Sequence, residues 1–503
     1  MVVDSPRLES LQPPQEKRSP RHPSQRVIRR RRRRSPRRQR PAHPASLPRE
    51  DAAEEAEEAK KTASSPEVQP LVASSHPALP AVSTASVSAK GEVKAWITQE
   101  LAAVDLGDRR LERRLVQIVE RLASQPEASI PKACGSAAAT KAAYRFFANR
   151  RVSPSAIVQG HRMATLQRMS DHSLILVLQD TTSLDYTHHP KTQGLGPLET
   201  KGRHGLLVHT SLACSEDGVP LGLLDQQVWR RDPQTVGQRH QRKERPTEAK
   251  ESAKWLCGVR ASLEGVPASV CVVTVGDREA DIFDFFREAF LRDTQVLVRA
   301  AWNRRVAQPT GCLWEEAART PVQGEEIIEV GRAKDRLPRQ ARVTIRFTAV
   351  QVCPPRHRRK EAGLQPLPLY AIEVREETPP PKEKGIHWLL LTNRPVTDLE
   401  EARRLVRWYG LRWLVERYHF VLKSGCRIEE RQLETGERLE RCLAVYAVVA
   451  WRLLWATYFQ DPVAAQRLNP FPQNPPAVPG GGRRIPPAAE RRCLDGLVDS
   501  AGR

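Results

Sequence analysis

Between residues 171 and 290 the apolar positions fall into short runs separated by turn-forming residues. Residues 174–178 are a continuous apolar run, the pattern of a strand buried on both faces, and the run ends at Asp180. Residues 205–214 and 219–229 flank Glu216-Asp217-Gly218, which predicts a hairpin. Residues 248–263 have helical spacing, and 269–275 form a second buried strand that runs straight into Gly276-Asp277. Upstream, residues 95–170 read as helices, with Asp108 as N-cap of a helix over 109–122. Downstream, 290–395 is β-rich, and residues 342–349 alternate polar and apolar as a half-buried strand should. Thr397-Asp398-Leu399-Glu400 has the form of a capping box, opening a long helix that closes near Gly425. The apolar stretch 443–459 is short for a membrane span and contains Arg452, so it predicts a packed core helix.

This order predicts an α/β protein in six parts: an extension over 1–92, a small helical domain over 93–170, and the first part of a core over 171–289. A β-rich insertion over 290–396, a helix closing the core over 397–461 and a tail over 462–503 follow. The extension is rich in Pro, Ser, Arg and Ala, with an Arg29–Arg34 run followed by an acidic block. Such a composition buries too little apolar surface to offset its ordering entropy, so disorder is expected there and in the Pro/Gly-rich tail. The arginine run suits DNA phosphates or a targeting signal, or is a low-complexity extension without function. No apolar core follows Met1, which argues against a signal peptide.

Charge changes the picture. The chain has 503 residues and a formal net charge of +22. Residues 1–90 hold 18 Lys/Arg against 10 Asp/Glu, so most of the excess lies beyond them. A surplus spread this widely points first to nucleic acid as partner. Arg109, Arg110 and Arg113, with Arg114, crowd one short helix and suit phosphates, or simply a solvated face. The nine cysteines include no C-x-x-C pair, which argues against a zinc ribbon or redox motif; reduced, mostly buried thiols of a cytosolic protein are expected.

The candidate chemistry rests on three carboxylates. Asp180 and Asp277 stand at or just past the ends of the two buried strands, where α/β sheets place ligands and catalytic groups. Mg²⁺ suits such carboxylates, because it binds hard oxygens and keeps substrate phosphates in its shell. Each aspartate taken alone also reads as a helix cap or turn residue. On the closing helix Tyr409, Arg412, Glu416 and Lys423 fall within an arc of about 60° at roughly 100° per residue. One face would then present a carboxylate between a hydroxyl and two cations, fit to complete a metal pair and hold phosphates. A salt-bridged solvent face has the same spacing.

Asp180-Thr181-Thr182-Ser183-Leu184, Gly276-Asp277-Arg278-Glu279-Ala280-Asp281 and the Tyr-x2-Arg-x3-Glu-x6-Lys pattern resemble the DDE transposases. More narrowly, they resemble the insertion-sequence "four" family, which includes the transposase of the kanamycin-resistance composite transposon. Leu106-Gly107-Asp108-Arg109-Arg110, Ala143-Tyr144-Arg145-Phe146-Phe147, Lys250-Glu251-Ser252-x-Lys254-Trp255 and Trp388-Leu389-Leu390-Leu391-Thr392 add to the likeness, which spans about residues 93–460 in order.

The resemblance implies an RNase H-like core preceded by a helical DNA-binding domain, with Asp180, Asp277 and Glu416 as catalytic residues and metal ligands. It implies two Mg²⁺ ions, or Mn²⁺ in their place, and double-stranded DNA with terminal inverted repeats, cut and pasted by a homodimer in a synaptic complex. Tyr409, Arg412, Lys423 and Arg299 would contact the DNA near the cleaved end, and Trp388 would stack on a flipped base. A cytoplasmic, nucleoid-associated protein without membrane contact follows. The first 90 residues, and those after about 461 where the family has a helical dimerisation region, have no counterpart in the pattern. Two other readings therefore stand: a relative that only binds DNA, and an RNase H-like nuclease without strand transfer.

Overall fold

The computed structural model describes residues 95–235, 250–330, 339–358, 361, 363–381, 383 and 385–458. The expectations for the extension, the tail, Cys493 and residues 248–249 lie outside them. After a helical turn over 95–100 comes α1 (Arg109–Ser124), capped by Asp108, whose carboxylate accepts from Arg110 N. Leu115, Ile118, Val119 and Leu122 form its buried stripe, at the spacing that puts residues on one helix face. Then come α2 (Ile130–Cys134), α3 (Ala137–Ala148) and α4 (Pro154–Met169). Ser136 and Ser153 cap the last two by accepting backbone N–H bonds, and Pro154 takes the first position of α4, where its missing N–H costs nothing.

Among the described residues ten strands make one mixed sheet. They are β1 (Leu174–Asp185), β2 (Gly196–Pro197), β3 (His204–Ser215), β4 (Pro220–Trp229), β5 (Cys271–Gly276) and β6 (Gln295–Arg299). Next come β7 (Gly324–Val330), β8 (Arg339–Val352), β9 (Leu367–Arg375) and β10 (His387–Thr392). The order is β2-β3-β1-β5-β6-β10-β9-β8-β7, with β4 on the other side of β3. β1 and β3 pair antiparallel, as do β3 and β4, whereas β5 joins β1 in parallel and β6 joins β5 in parallel. The β3–β4 hairpin turns at the predicted Glu216-Asp217-Gly218, where Gly218 takes φ 87°, a left-handed value natural to glycine.

Helices cover both faces. On β1, Leu174, Leu176 and Leu178 pack into the core under α8 (Leu399–Gly410), α9 (Trp413–Phe420) and α10 (Gly436–Tyr458), while Ile175 and Val177 pack under α4. α5 (Ala253–Leu263), α6 (Phe283–Leu291) and α7 (Leu313–Arg319) lie over the opposite face of β6, β9 and β10. This two-sided burial is why the central strands read as unbroken apolar runs. α10 is the expected core helix, and no helix of the described residues is long and apolar enough to cross a membrane. Of the eight described cysteines, Cys134, Cys214, Cys426 and Cys442 are buried, whereas Cys257 is exposed.

Several expectations need correction. β1 does not end before Asp180: it runs on through Thr181, Thr182 and Ser183 to Asp185, because β3 is long enough to pair with all of it. The β-rich region over 290–396 is not set apart. β6 extends the parallel core, and β10, β9, β8 and β7 continue the same sheet, with α7 inserted between β6 and β7. The alternation in β8 changes phase: Ala341, Val343 and Ile345 are buried, then Val350 and Val352, so its two halves feed cores on opposite faces. The helix opening near Thr397 is capped by Asp398, whose carboxylate accepts from Glu401 N at 2.9 Å.

Candidate active site

The last paired residues of the parallel strands β1 and β5 are Leu178 and Val275. Asp180 and Asp277 lie two residues beyond each, at the same end of the sheet. Leu178 and Val275 both belong to the core beneath α8–α10, and the period of two puts the aspartates on that side as well. Gly276 makes the exit from β5 possible: a Cβ there would stand 2.5 Å from Ala280 Cβ, so only glycine lets the short turn Arg278–Ala280 fold back so closely. Asp277 caps that turn by accepting from Glu279 N at 2.8 Å.

The two carboxylates differ in charge state. For Asp180, burial opposes ionisation, but a hydrogen bond and charge from His419, with Arg412 and the Thr181 N–H, hold its pKa below the usual range. For Asp277, burial and the nearby charges of Asp180 and Glu279 push the pKa up to about 6, against a pull downward from Arg412. Two carboxylates that repel each other this way form a site that a cation would relieve.

The helix expected to carry Tyr409, Arg412, Glu416 and Lys423 on one face is broken. α8 ends at Gly410, and Leu411 and Arg412 form a tight turn in which Arg412 N and Val415 N donate three residues back. α9 follows, then a π turn, Val421–Gly425, where Cys426 N donates five residues back to Val421 O. Tightening near 411 and loosening near 423 change the angle per residue in opposite senses, so the uniform wheel does not apply.

Tyr409, Arg412 and Glu416 still border one region, in unequal ways. Tyr409 is buried, its ring edge-on to half-buried Trp388 at 5.1 Å, and burial raises its pKa. Burial opposes the charge of Arg412, yet Tyr409, Glu416, Asp180 and Asp277 together raise its pKa well above the ordinary value. Its Nη2 lies 2.5 Å from Glu416 Oε1, and its Nε is buried with no hydrogen-bond partner among the described residues. Glu416 is about half exposed, at 52%. Lys423 is half-buried in the π turn. Asp180 and Asp277 thus face each other, while Glu416 reaches them through Arg412. Among the described residues no three His, Cys, Asp or Glu side chains stand together in a ready metal site.

Arg299 ends β6 and, from the Gly276–Val298 pairing, lies level with Asp277. Its Nη2 donates to His387 O at 2.8 Å, and burial, reinforced by Arg278 and Arg412, lowers its pKa against the pull of Tyr409. Arg278, Arg299 and Arg412 therefore form a cluster of like charges beside the aspartates. Sequence reasoning missed His419. Its Nδ1 lies 3.4 Å from Asp180 Oδ2 and its Nε2 3.1 Å from Thr210 Oγ1, and Thr210 pairs with Asp180 across the β1–β3 ladder. The available signal was a histidine one turn after Glu416, next to buried Tyr418. In the helical segment Arg109, Arg110 and Arg113 are exposed on α1, and Arg151 lies near enough to Asp108 to act on its charge.

Residues 93–152 match the transposase DNA-binding family model. The chain therefore carries a transposase DNA-binding domain, with DNA as the partner that domain serves, ahead of a mixed α/β sheet.

Proposed function

We propose that the protein is a DDE transposase of the insertion-sequence "four" type, acting on transposon ends by a cut-and-paste route. The observation that carries this reading is the Asp180–Asp277 pair, set two residues past the paired ends of two parallel strands and flanked by three arginines. The strand order β4-β3-β1-β5-β6, antiparallel then parallel, supports an RNase H-like core, and the match over residues 93–152 supports DNA as substrate. The cytoplasmic nucleoid is the site of action this implies.

The donor set fits a hard divalent cation. Asp180 and Asp277 would hold Mg²⁺, and a cation there would relieve the repulsion that raises Asp277. A pair of such ions, if bound there, would supply activation of the attacking oxygen and stabilisation of the leaving one in phosphodiester chemistry. Glu416 can join only by leaving Arg412, which frees a guanidinium for the DNA phosphate. The partnerless buried Nε of Arg412 calls for just such an acceptor. Arg299 and Arg278 add positive charge where the phosphate backbone would enter, and His419 holds Asp180 in its rotamer.

A second reading, a relative that only binds DNA, is favoured by the Arg412–Glu416 ion pair, which keeps the third carboxylate away from the aspartates. The two part on one comparison, using DNA that spans the boundaries of the protein's own gene. In Mg²⁺ the full chain cuts at those boundaries, and Glu416→Gln binds the same DNA with unchanged affinity but does not cut. No cutting by the unaltered chain supports the binding-only reading, and normal cutting by Glu416→Gln removes Glu416 from the mechanism.

A further inference from the structure

Beyond β6 the chain makes a turn that the reading above leaves unused. Asp281, buried to 3% exposure and four residues past Asp277, holds this turn from below. Its Oδ2 accepts from Ala301 N at 2.8 Å and from Trp302 N at 3.1 Å, and its Oδ1 accepts from Arg304 Nε at 2.6 Å. Arg304 Nη2 also donates to the Asp281 carbonyl. The far side is tied as firmly: Asn303 Oδ1 accepts from Trp314 N at 3.0 Å, and Leu313 N donates to Arg304 O at 2.8 Å. On this braced backbone the Trp302 side chain is 66% exposed, with Trp314 exposed beside the same asparagine.

We propose that the Trp302 indole is a stacking platform for an unpaired nucleobase of the DNA held at the Asp180–Asp277 site. The proposal rests on the DNA reading above and adds a subsite to it. Trp302 lies three residues past Arg299, and Arg299 is level with Asp277 on neighbouring parallel strands. Trp302 therefore lies at the end of the sheet that holds the aspartates, three residues along the chain from Arg299, which belongs with Arg278 and Arg412 to one cluster of like charges. Arginines attract the phosphate backbone, and a flat exposed aromatic offers a base a sequence-tolerant face. Packing does not account for the ring, which buries little, while the buried Asp281 carboxylate fixes its backbone in advance of any ligand. A platform fixed beforehand loses less entropy on binding.

The test uses the full chain, a blunt DNA duplex, and a forked duplex with 2-aminopurine in its unpaired arm. Blunt-duplex binding reports the DNA reading itself: if the unaltered chain binds neither DNA, that reading fails and this subsite with it. If the platform is real, Trp302→Ala and Trp302→Leu bind the blunt duplex as the unaltered chain does and the fork roughly tenfold more weakly. Trp302→Phe keeps most of the fork preference, and the 2-aminopurine emission quenched by the unaltered chain returns with Trp302→Leu. Equal fork affinity for Trp302→Leu and the unaltered chain overturns the proposal. So does equal weakening on both DNAs, or a change in self-association with fork binding untouched.

Discussion

Replacing Glu100 by glutamine tests how the DNA-binding helices are fastened to the rest of the molecule. Glu100 is fully buried at the end of the 95–100 helical turn. Its carboxylate lies 2.5 Å from His161 Nδ1 and accepts from Arg168 Nη1 at 3.0 Å and Nη2 at 3.1 Å. Leu223 N donates to His161 Nε2 at 2.9 Å, so that nitrogen is an acceptor and the imidazole is neutral with its proton on Nδ1. Arg168 also stacks on Trp451 of α10, 4.4 Å from the ring centre. Burial works against the Glu100 charge, but His161 and Arg168 bring its pKa down from 4.5 to about 2. Part of that shift needs a charged His161, which the neutral ring does not supply, so at 1.36 kcal/mol per unit the ionised carboxylate contributes at most about 3 kcal/mol. Removing one partner of a buried pair independently suggests about 3–5 kcal/mol, because Arg168 would keep an uncompensated charge. Glutamine keeps the shape and loses the charge. At pH 7, urea unfolding followed by tryptophan fluorescence should show a loss of about 3 kcal/mol. A depressed carboxylate pKa gives stability that is present above pH 4.5 and lost as the pH falls towards 2, so the gap between the two proteins should narrow over that window. Adding Arg168→Met to the glutamine variant should recover part of the loss, since no charge then stays buried. A loss below about 1 kcal/mol, or a gap unchanged between pH 4.5 and 3, refutes the argument.

Asp277→Asn should raise the melting temperature in metal-free buffer, because a raised carboxyl pKa means ionisation costs stability, fully above about pH 6 and not at all below 3.8. The same variant should lose the stabilisation that added Mg²⁺ gives the unaltered chain; scanning calorimetry with and without Mg²⁺ at pH 5 and 8 reads both. Trp388→Ala should fold and nick the first strand while forming fewer hairpin ends, read on denaturing gels. An equal loss of nicking and hairpins would make Trp388 a packing residue against Tyr409.

The strands and the β3–β4 hairpin were legible because two-sided burial writes unbroken apolar runs, and a Gly at the right offset marks the turn. Asp180 was placed at a strand end because the apolar run over 174–178 stops just before it. Thr181 and Thr182 are β-branched and β3 offers them a partner, so tertiary pairing overrode the local signal. The placement survives in altered form, since the parallel pairing with β5 does stop just before Asp180. The closing helix was misread because a uniform 100° per residue cannot express a tight turn followed by a π turn, and neither announces itself in residue type. His419 escaped for a related reason: what it touches is Thr210, more than two hundred residues away. The likeness to known transposases drew attention to Asp180, Asp277 and Glu416, but only coordinates show Arg412 standing between Glu416 and the two aspartates.

The helices of the DNA-binding segment do not own their core. Leu115, Ile118, Leu122 and Phe147 share one cluster with Leu443, Tyr446, Val449 and Trp451 of α10. Arg441 Nε donates to Val152 O at 3.0 Å, and Arg431 Nη2 donates to Pro126 O at 2.7 Å. A ribosome that has released residue 152 has therefore made the segment that grips DNA without the surface it folds against. That surface arrives some three hundred residues later, after both aspartates and Glu416 have been made. A nascent or prematurely stopped product that lacks α10 should therefore bind DNA more weakly than a chain that includes it.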